Sequence, residues 1–462
     1  MTHGIATANN AIHGTLLDLQ QVLANSVMTS DVPFQGLSTD SRKIVAGNVF
    51  LALRGETFDA HDFLDQVVAA GAVAVIAERI PAGFTTPALI VPDTKLALAQ
   101  IATYWRQQFN LPVIAVTGSN GKTTVKEMIA SILRAQFGAD QMISTQGNLN
   151  NEIGVPLTVF RLHAGHQAAV LELGMNHPGE IAVLSAIAQA KVGLVNNAQR
   201  EHQEFMQTVE AVAIENGAVL SSLPTDGVAV FPADEPYTKL WQELAGARKC
   251  ITFGFSDTAD VHASFFAQEF GSEIEMSIHG DVLKLQLAAA GQHNVLNALA
   301  AAACCSAIGV EHTKIVEGLQ AFAPVSGRLQ PKQAVAGARL IDDTYNANPD
   351  SVKAAIDVLA QASDNTILVL GDMGEVGADG ASFHQEIGLY AKARGIKHLY
   401  TLGALAQAST TAFGDGAQHF TELSSLLLNL EKYSNTGNTI LIKGSRFMKM
   451  ERVVAHLCSV FV

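Results

Sequence analysis

Residues 113–133, VIAVTGSNGKTTVKEMIASIL, decide the fold of the chain around them. Apolar and small residues run into the segment TGSNGKTT, and apolar residues then return at helical spacing. This order predicts a buried strand, a glycine-containing turn and an amphipathic helix in immediate succession. A turn of this kind presents backbone N–H groups and the positive end of a helix to an anion. We therefore predict a phosphate-binding loop.

The side chains of this loop fit a nucleoside triphosphate. Lys122 places a positive charge toward the terminal phosphates, and the Thr123 hydroxyl is the candidate ligand for Mg²⁺. The loop is shorter than the common G-x-x-x-x-G-K-[ST] form, because Val116 stands at the position of the leading glycine. The alternative is a plain glycine turn with a solvated lysine. The predicted nucleotide-binding residues of the loop are Gly118, Ser119, Asn120, Gly121, Lys122, Thr123 and Thr124.

Length and charge narrow the classes of function. The chain has 462 residues, 48% hydrophobic and 16% charged, so two or three domains are expected. Its net charge of −14 and the absence of a block of Lys and Arg argue against nucleic-acid binding, although a local site can still hold an anionic substrate. The N-terminus lacks a signal-peptide pattern, and no apolar run reaches the about 20 residues of a bilayer span. A cytoplasmic monomer without membrane insertion is expected.

The alternation of strand-like and helix-like segments predicts an α/β protein of three domains. Residues 1–109 end in an amphipathic helix, which Pro112 separates from the phosphate-loop strand. Residues 110–325 alternate strand and helix, which predicts a central phosphate-loop domain with a mainly parallel sheet. Within it, residues 260–291 alternate polar and apolar side chains around a Gly-Asp turn, which predicts an antiparallel hairpin insert. Residues 326–462 predict a doubly wound, Rossmann-like domain.

Two polar residues follow neighbouring strands of the predicted central sheet. Glu172 ends the apolar strand QAAVLELG, and His202 follows the next strand, VGLVNN. Because the carboxyl ends of parallel strands face the same crevice, both side chains are predicted near the phosphate loop, as candidate ligands for Mg²⁺. The alternative is that each is a surface residue or a hydrogen-bonded core residue.

Other polar clusters are candidates for substrate contacts. Clustered amides suit hydrogen bonds to sugar, amide or phosphate groups, or they cap their own turns and helices. Arg328 lies at the predicted junction of the central and last domains, where it either clamps a transferring phosphate or is a plain surface residue. The clustered amides are Asn148, Asn150, Asn151, Asn294 and Asn297, and one strand tip carries Asp342, Asp343, Tyr345, Asn346 and Asn348.

These residues together resemble the Mur ligases, the ATP-dependent amide-forming enzymes of peptidoglycan precursor synthesis, over essentially the whole chain. The motifs TGSNGKTT, LELGMNHPGEI, GQHNVLNALAAA and the Gly327–Arg328 junction are also general to the related folylpolyglutamate synthases. The motifs STDSRK, GNVFLALRGETFDAHDF, GNLNNEIGVPLT, DDTYNANPDS, LVLGDMGEVG and LIKGSRFMKME are more specific. They are similar to those of the family branch that adds D-alanyl-D-alanine to UDP-N-acetylmuramoyl-tripeptide.

That resemblance implies a division of labour among the domains. The first would bind the UDP-sugar, the central one would hold ATP and Mg²⁺, and the last would bring D-alanyl-D-alanine and close on ATP. A substrate carboxylate would attack the γ-phosphate to give an acyl phosphate, which the amine of the dipeptide then attacks. The implied catalytic residues are Lys122, Glu172, His202 and Arg328, the implied metal ligands are Thr123, Glu172 and His202, and Asn294, Asn297, Arg328 and Asp343 would join the loop around ATP. The implied substrate contacts are Ser38, Thr39, Ser41, Arg42, Asn148, Asn150, Asn151, Tyr345, Asn346 and Asn348.

One position departs from the family pattern. Many Mur ligases carry a carbamylated lysine fourteen positions after the histidine that corresponds to His202, and Asn216 stands there in this chain. An amide oxygen can bind magnesium but adds no negative charge. The resemblance therefore implies a second magnesium site without a carbamate, in which Asn216 is a candidate ligand and the negative charge comes from Glu172, the phosphates and, as a further candidate, Glu215. The alternative is that Asn216 only caps a helix end. Activity should then be independent of bicarbonate, and Asn216→Ala should raise the magnesium requirement more than it weakens ATP binding.

Three other functions compete with this interpretation. A folylpolyglutamate synthase usually lacks the first domain, whose motifs are present here, and a Mur ligase that adds a single diaminopimelate or lysine would carry another motif at YNANP. A nucleotide-switched binding protein without ligase activity is the alternative from another class. Such a switch would release phosphate at the same rate with and without the dipeptide and the UDP-tripeptide.

Overall fold

The computed structural model describes residues 11–201, 203–362 and 365–459. Within these residues the strands form one small antiparallel pair and three larger sheets, which follow one another along the chain. Strands β1–β22 and helices α1–α16 are numbered in chain order. We call β1 to α3 the first unit, β8 to α11 the central unit, and the chain from Gly327 to the end of α16 the last unit.

The first unit contains a sheet with the strand order β2-β7-β6-β5-β4. Strands β4 to β7 pair in parallel, whereas β2 is antiparallel to β7, and β1 pairs separately with β3. Its strands are β1 His13–Thr15, β2 Val27–Met28, β3 Pro33–Gln35, β4 Leu37–Ser38, β5 Val49–Leu51, β6 Ala74–Ala77 and β7 Ala88–Ile90. Its helices are α1 Leu16–Val22, α2 Leu64–Ala69 and α3 Thr94–Gln107.

The central unit is built on the largest sheet, with the order β16-β15-β14-β13-β12-β11-β8-β10-β9. Pairing is parallel from β9 through β14, and the apolar strand β8 lies between β10 and β11. Its strands are β8 Val113–Thr117, β9 Met142–Ser144, β10 Ala168–Glu172, β11 Val192–Val195, β12 Val228–Pro232, β13 Lys249–Gly254, β14 Val261–Gln268, β15 Gly271–Ile278 and β16 Asp281–Leu287. Its helices are α4 Lys122–Phe137, α5 Gly154–Val159, α6 Glu180–Ala188, α7 Gln203–Met206, α8 Val209–Ser221, α9 Thr238–Ala245, α10 Gln292–Ala307 and α11 His312–Gln320.

The prediction of a hairpin insert at residues 260–291 is corrected by the strand pairing. Strand β14 pairs in parallel with β13, so the segment extends the main sheet, and β15 and β16 continue it as an antiparallel meander. The Gly-Asp turn joins β15 to β16 as expected. The turn between β14 and β15 has Glu269 and Phe270 at its centre, and neither residue type signals a tight turn. That is why the additional strand was missed.

The last unit is a doubly wound sheet with the order β17-β18-β22-β19-β20-β21. Pairing is parallel except between β17 and β18, and apolar clusters cover both faces. Its strands are β17 Gln330–Gln333, β18 Arg339–Asp343, β19 Asn365–Gly371, β20 His398–Leu402, β21 Ala417–Phe420 and β22 Asn438–Lys443. Its helices are α12 Pro349–Leu359, α13 Gly380–Ala393, α14 Gln407–Phe413, α15 Leu423–Leu430 and α16 Glu451–Cys458. The predicted α/β class is confirmed.

Helix α3 joins the first unit to the central one. Its buried residues Ile101 and Trp105 belong to the same apolar core as Leu184 of α6. The buried guanidinium of Arg106 donates hydrogen bonds to the carbonyls of the connecting segment and of Ala188 at the end of α6, the latter at 3.0 Å. The two units therefore share one core and a hydrogen-bonded seam.

The division of the chain into domains 1–109, 110–325 and 326–462 stays a prediction, and both of its boundaries fall in connections between sheets. None of the described helices is both long and apolar enough to span a bilayer.

Candidate active site

A cavity of about 1010 Å³ lies beyond the carboxyl ends of β8, β10 and β11. Its walls come from the phosphate loop, from the segments that follow β10 and β11, from the start of α10 and from the last unit. Clefts outside the carboxyl ends of parallel strands are the usual ligand sites of such sheets. Most lining residues belong to the central and last units, and Glu56 and Lys95 of the first unit complete the wall.

The phosphate loop adopts its turn through two glycines. Gly118 and Gly121 have φ angles of 134° and 80°, and Gly121 precedes the first turn of α4. A Cβ atom on Gly118 would lie 2.9 Å from that of Asn196, and one on Gly121 would lie 2.5 Å from Oδ1 of Asn297. Any side chain at either position would distort the loop. The helix thus presents its N-terminal N–H groups to the cavity.

Lys122 lies among acceptors at the start of α4. Its Nζ donates to the carbonyls of Gly118 and Ser119, and to Oε1 of Glu201 at 2.8 Å. The side chains of Lys122 and Glu201 are only 14% and 13% exposed, so the ion pair is largely shielded from water. The charge of Lys122 is therefore held at the loop, where a phosphate would compete with Glu201 for it.

Thr123, Glu172 and Arg328 meet at the start of α4. Glu172 ends β10 and is 2% exposed. Its Oε1 accepts hydrogen bonds from Oγ1 of Thr123 (3.2 Å) and Nδ2 of Asn150 (2.8 Å). Its Oε2 is buried without a hydrogen-bond partner in the part of the chain that the structure describes. A desolvated carboxylate oxygen of this kind is costly unless a cation or donor pairs with it.

Arg328 reaches the phosphate loop from the connection before β17. Its Nη2 donates to Oγ1 of Thr123 at 2.9 Å, and its guanidinium lies 4.3 Å from the centre of the Tyr345 ring. The stacking fixes the plane of the guanidinium, so its remaining N–H groups keep a defined direction. The structure thus brings together three of the sequence-predicted residues from two units.

Asp343 holds a lysine that the sequence interpretation missed. Lys443 ends β22 directly beside Asp343 on β18, and its Nζ lies 2.6 Å from Oδ2 of Asp343. Both line the cavity, and Oδ1 of Asp343 accepts from the backbone N–H of Leu329 at 3.1 Å. A lysine at the end of an otherwise apolar strand, ILIK, was the available signal.

The predicted asparagines of α10 form a chain of amides. Asn297 Nδ2 donates to Oδ1 of Asn294 (3.1 Å), and Asn297 Oδ1 accepts from Nδ2 of Asn196 (2.9 Å). Asn196 also donates to the carbonyl of Asn120 in the phosphate loop at 2.8 Å. Because Gly291 is the N-cap of α10, these asparagines do not cap it, and they line the cavity instead. Asn196 was missed although it directly follows an apolar strand.

The remaining asparagines divide between the two predicted roles. Asn150 contacts Glu172, and Asn148 and Asn151 line the cavity. Oδ1 of Asn151 also accepts from the N–H of Gly154 at 2.9 Å, so this residue caps its own turn as well. Asn348 is the N-cap of α12, and its Nδ2 also donates to Oδ1 of Asn120 at 2.9 Å.

Two of the remaining predicted residues lie on the cavity wall. Tyr345 and Asn346 line the cavity from the last unit, between β18 and α12. Asn346 also places its backbone carbonyl 2.9 Å from Nζ of Lys443, so it helps to hold that lysine. The predicted metal ligand His202 lies outside the described residues.

Comparison with known proteins identifies the family. Models of the Mur ligase family catalytic domain, the Mur ligase middle domain and the Mur ligase glutamate ligase domain match residues 33–106, 116–305 and 327–446. An Escherichia coli K12 protein named UDP-N-acetylmuramoyl-tripeptide–D-alanyl-D-alanine ligase is 40% identical over 454 residues, which cover 96% of this chain and 98% of that protein. The chain belongs to the Mur ligase family.

Solved structures agree with this assignment. MurF from Acinetobacter baumannii is 35% identical, with a TM-score of 0.91 over 97% of this chain and 99% of that one. MurF from Thermotoga maritima, solved in complex with ADP, is 26% identical, with a TM-score of 0.82 over 91% of this chain and 96% of that one. The three-unit arrangement of this Mur ligase is therefore that of the MurF structures.

The UDP-sugar contacts predicted in the first unit do not lie on the wall of this cavity. Arg42 is exposed and forms two hydrogen bonds of 2.9 Å with the carboxylate of Asp40, which hold the pKa of that carboxyl below its ordinary value. Its neighbours lie at the end of β4 and in the short turn of 3₁₀-helix that follows. In a Mur ligase this surface stays a predicted contact for a distant part of the substrate; its members are Ser38, Thr39, Ser41 and Arg42.

Asn216 contacts the backbone of the phosphate loop. It is 1% exposed in α8, and its Oδ1 accepts from the backbone N–H of Gly118 at 3.0 Å. The two carboxylate oxygens of Glu215 accept from the N–H groups of Gly179 and Ile181, each at 2.8 Å, at the start of α6. Neither residue lines the cavity. That they help to bind magnesium stays a prediction, and the structure shows a second role for both, since backbone N–H groups donate to these oxygens.

Asn216→Ala is therefore expected to raise the KM for ATP more than the magnesium requirement, the reverse of the sequence-based expectation. Loss of Oδ1 frees Gly118 and leaves its buried N–H unpaired, which loosens the phosphate loop by about 1–3 kcal/mol. Titrations of ATP at saturating magnesium, and of magnesium at saturating ATP, separate the two effects. Asn438→Ala, a buried asparagine of the last unit, is the control. A shifted magnesium curve with an unchanged KM for ATP, or a dependence on bicarbonate, would contradict this role.

Proposed function

We propose that this chain catalyses the ATP-dependent addition of D-alanyl-D-alanine to UDP-N-acetylmuramoyl-tripeptide, with release of ADP and phosphate. The observation that carries the proposal is the meeting of Thr123, Glu172 and Arg328, from two units, beside a glycine-containing phosphate loop. The names of the curated relatives support the choice of substrates, since they match the chain over nearly its full length.

The reaction balances as two displacements. An oxygen of the tripeptide's terminal carboxylate bonds to the γ-phosphorus of ATP, and the bond from that phosphorus to the bridging oxygen breaks to leave ADP. The amine of D-alanyl-D-alanine then attacks the acyl carbon, inorganic phosphate leaves, and the nitrogen loses a proton. Charge accumulates on the phosphate oxygens in the first step. Lys122 and Arg328 lie where they can stabilise that charge.

Magnesium fits the residues at the loop. Thr123, Glu172 and, by family resemblance, His202 are the proposed ligands, and the unpartnered Oε2 of Glu172 supplies a buried anionic oxygen. Within residues 11–201, 203–362 and 365–459, no three His, Cys, Asp or Glu side chains are grouped to hold a metal by themselves. Most ligands would then be phosphate oxygens and waters, as is usual for this ion. When bound, magnesium neutralises the negative charge of the phosphates.

The two organic substrates would enter from opposite units. The amine of the dipeptide must approach the acyl carbon from the side of the last unit, where Tyr345, Asn346 and Ala347 line the cavity. The UDP-sugar would extend toward the first unit, beyond the amides of Asn148 and Asn150.

Release of ADP is expected to require the UDP-tripeptide and D-alanyl-D-alanine together. A coupled assay that omits each component in turn, with mass spectrometry of the product, tests this. UDP-tripeptides that end in diaminopimelate or in lysine identify the third residue. A single amino acid in place of the dipeptide, and a folate substrate in place of the UDP-tripeptide, serve as controls for the other ligases. Equal ADP release in all arms would instead indicate a nucleotide switch.

A further inference from the structure

In the segment that follows β11, every second residue from Asn197 to Glu201 contacts the phosphate loop. Asn197 Oδ1 accepts from the N–H of Asn120 at 2.9 Å, and the N–H of Gln199 donates to Oγ of Ser119 at 2.9 Å. Gln199 also accepts from Nδ2 of Asn120, and Glu201 pairs with Lys122. We call residues 196–201 the loop support. A displacement of the loop support would therefore displace the phosphate loop.

Arg200 lies in the loop support but contacts the last unit. Its backbone N–H and Nε donate to Asp350 in the first turn of α12, at 3.0 and 3.1 Å. Its Nη1 donates to Oε2 of Glu386 on α13 at 2.7 Å, and its guanidinium lies 5.3 Å from the centre of the Phe383 ring. The Arg200 side chain is 22% exposed. One side chain thus joins the central unit to two helices of the last unit.

These contacts are of the kind that depend strongly on geometry. A guanidinium that binds one carboxylate through two nitrogens, and a second carboxylate as well, loses most of the interaction after a small shift. The same guanidinium holds the pKa of Glu386 below its ordinary value, with Lys353 contributing. Asp350 also lines the cavity. The position of the last unit and the position of the loop support are therefore mechanically linked.

We propose that Arg200 is a positioning residue, which docks the last unit on the central unit and so sets the phosphate loop for reaction. It acts through Gln199 and Glu201, its neighbours in the chain, which contact Asn120 and Lys122. When the last unit moves away, the loop support loses its anchor on α12 and α13. Substrate binding to the last unit is thereby coupled to the geometry around the γ-phosphate of ATP. The inference rests on the proposed function in one respect only: the turnover measurement that tests it uses the proposed substrates.

Arg200→Ala is expected to lower kcat by about tenfold or more, because truncation of a hydrogen-bonded, shielded charge pair usually costs at least that factor. Asp350→Asn should have a similar effect, and the double variant Arg200→Ala/Asp350→Asn should be little worse than either single one. Arg200→Lys should restore part of the loss. The melting temperature should change little, because the central and last units each keep their buried apolar clusters without this side chain. Wild-type kcat in Arg200→Ala, or additive losses in the double variant, would overturn the proposal.

Lys353→Ala is the matched control. Lys353 lies on α12 and pairs with the same Glu386, but this ion pair is internal to the last unit. Its removal should leave kcat and the KM values near those of the wild type. An equal loss in Lys353→Ala and Arg200→Ala would show that only the integrity of the last unit matters, and would contradict the inference.

A measurement without turnover separates this inference from the proposed function. Small-angle scattering with a non-hydrolysable ATP analogue should show a compact wild-type enzyme and a larger radius of gyration for Arg200→Ala at the same saturation. If the wild type compacts and Arg200→Ala does not, the docking role holds even where D-alanyl-D-alanine proves to be the wrong substrate. Equal compaction in both proteins would overturn the docking role.

Discussion

Lys122→Ala is expected to reduce ligation by about a hundredfold to a thousandfold or more while the protein stays folded. In the structure Nζ of Lys122 donates to loop carbonyls and to Glu201, and these contacts hold its positive charge at the site where phosphate would bind. Without it, no charged side chain on the first turn of α4 opposes the charge that develops on the transferring phosphoryl group. ADP release at saturating substrates, with the circular dichroism melting temperature, measures both parts of the prediction.

Lys314→Ala is the control for the loss of a lysine. Lys314 pairs with Glu317 on the surface of α11 and does not line the cavity, and exposed pairs of this kind contribute little to stability. It should behave as the wild type in both measurements. Unfolding of Lys122→Ala would make the lysine a structural residue that balances Glu201. Activity near that of the wild type would remove Lys122 from the reaction.

Glu172→Gln is expected to raise the magnesium concentration needed for half-maximal activity by about tenfold to a hundredfold. The substitution keeps the volume and leaves an amide oxygen for the hydrogen bonds of Thr123 and Asn150, but it removes the negative charge. Since Oε2 is buried without a partner among the described residues, the charge is best explained by a cation that binds there. Activity measured over a magnesium series, with manganese as a second ion, tests this.

Glu317→Gln on α11 is the matched control for the loss of a carboxylate, and its magnesium curve should coincide with that of the wild type. An unchanged curve for Glu172→Gln, together with a lower melting temperature, would show that Glu172 serves only to hold Thr123 and Asn150. In that event the buried carboxylate of Glu172 would have only a structural role at the end of β10.

The sequence was sufficient for features whose signals are local. The strand, turn and helix of residues 113–133 are contiguous, and the apolar strands of the sheets are recognisable one at a time. Strands β17 and β21 were not predicted, because QPKQ and AQHF lie at sheet edges and lack an apolar run. Edge strands need few buried side chains, so their pattern is weak.

Contacts between distant parts of the chain could not be predicted from local patterns. The hydrogen bond from Gly118 to Asn216 joins residues 98 positions apart, and that from Arg200 to Asp350 spans 150 positions. The counted position of Asn216 drew attention to this residue, but the hydrogen bond of its side chain to the loop backbone was not predicted. Arg200 carried no signal at all, since a lone arginine after a strand is usually a surface residue. Only the fold of the central unit and its packing against the last unit give these residues their partners.

The seam around Arg106 makes the junction between the first and central units stiffer than the junction between the central and last units. Between the first and central units an apolar core is continuous, and a buried guanidinium ties α3 to the end of α6. Between the central and last units, polar contacts such as Arg328 with Thr123 and Asn348 with Asn120 accompany a small apolar one, in which Ala290 and Phe270 join the apolar cluster of the last unit. Polar interfaces separate at a lower cost than a shared core. An inhibitor that spans the first junction would bind a pre-organised surface. One that spans the second junction must also fix the position of the last unit, which reduces the free energy of binding that its contacts provide.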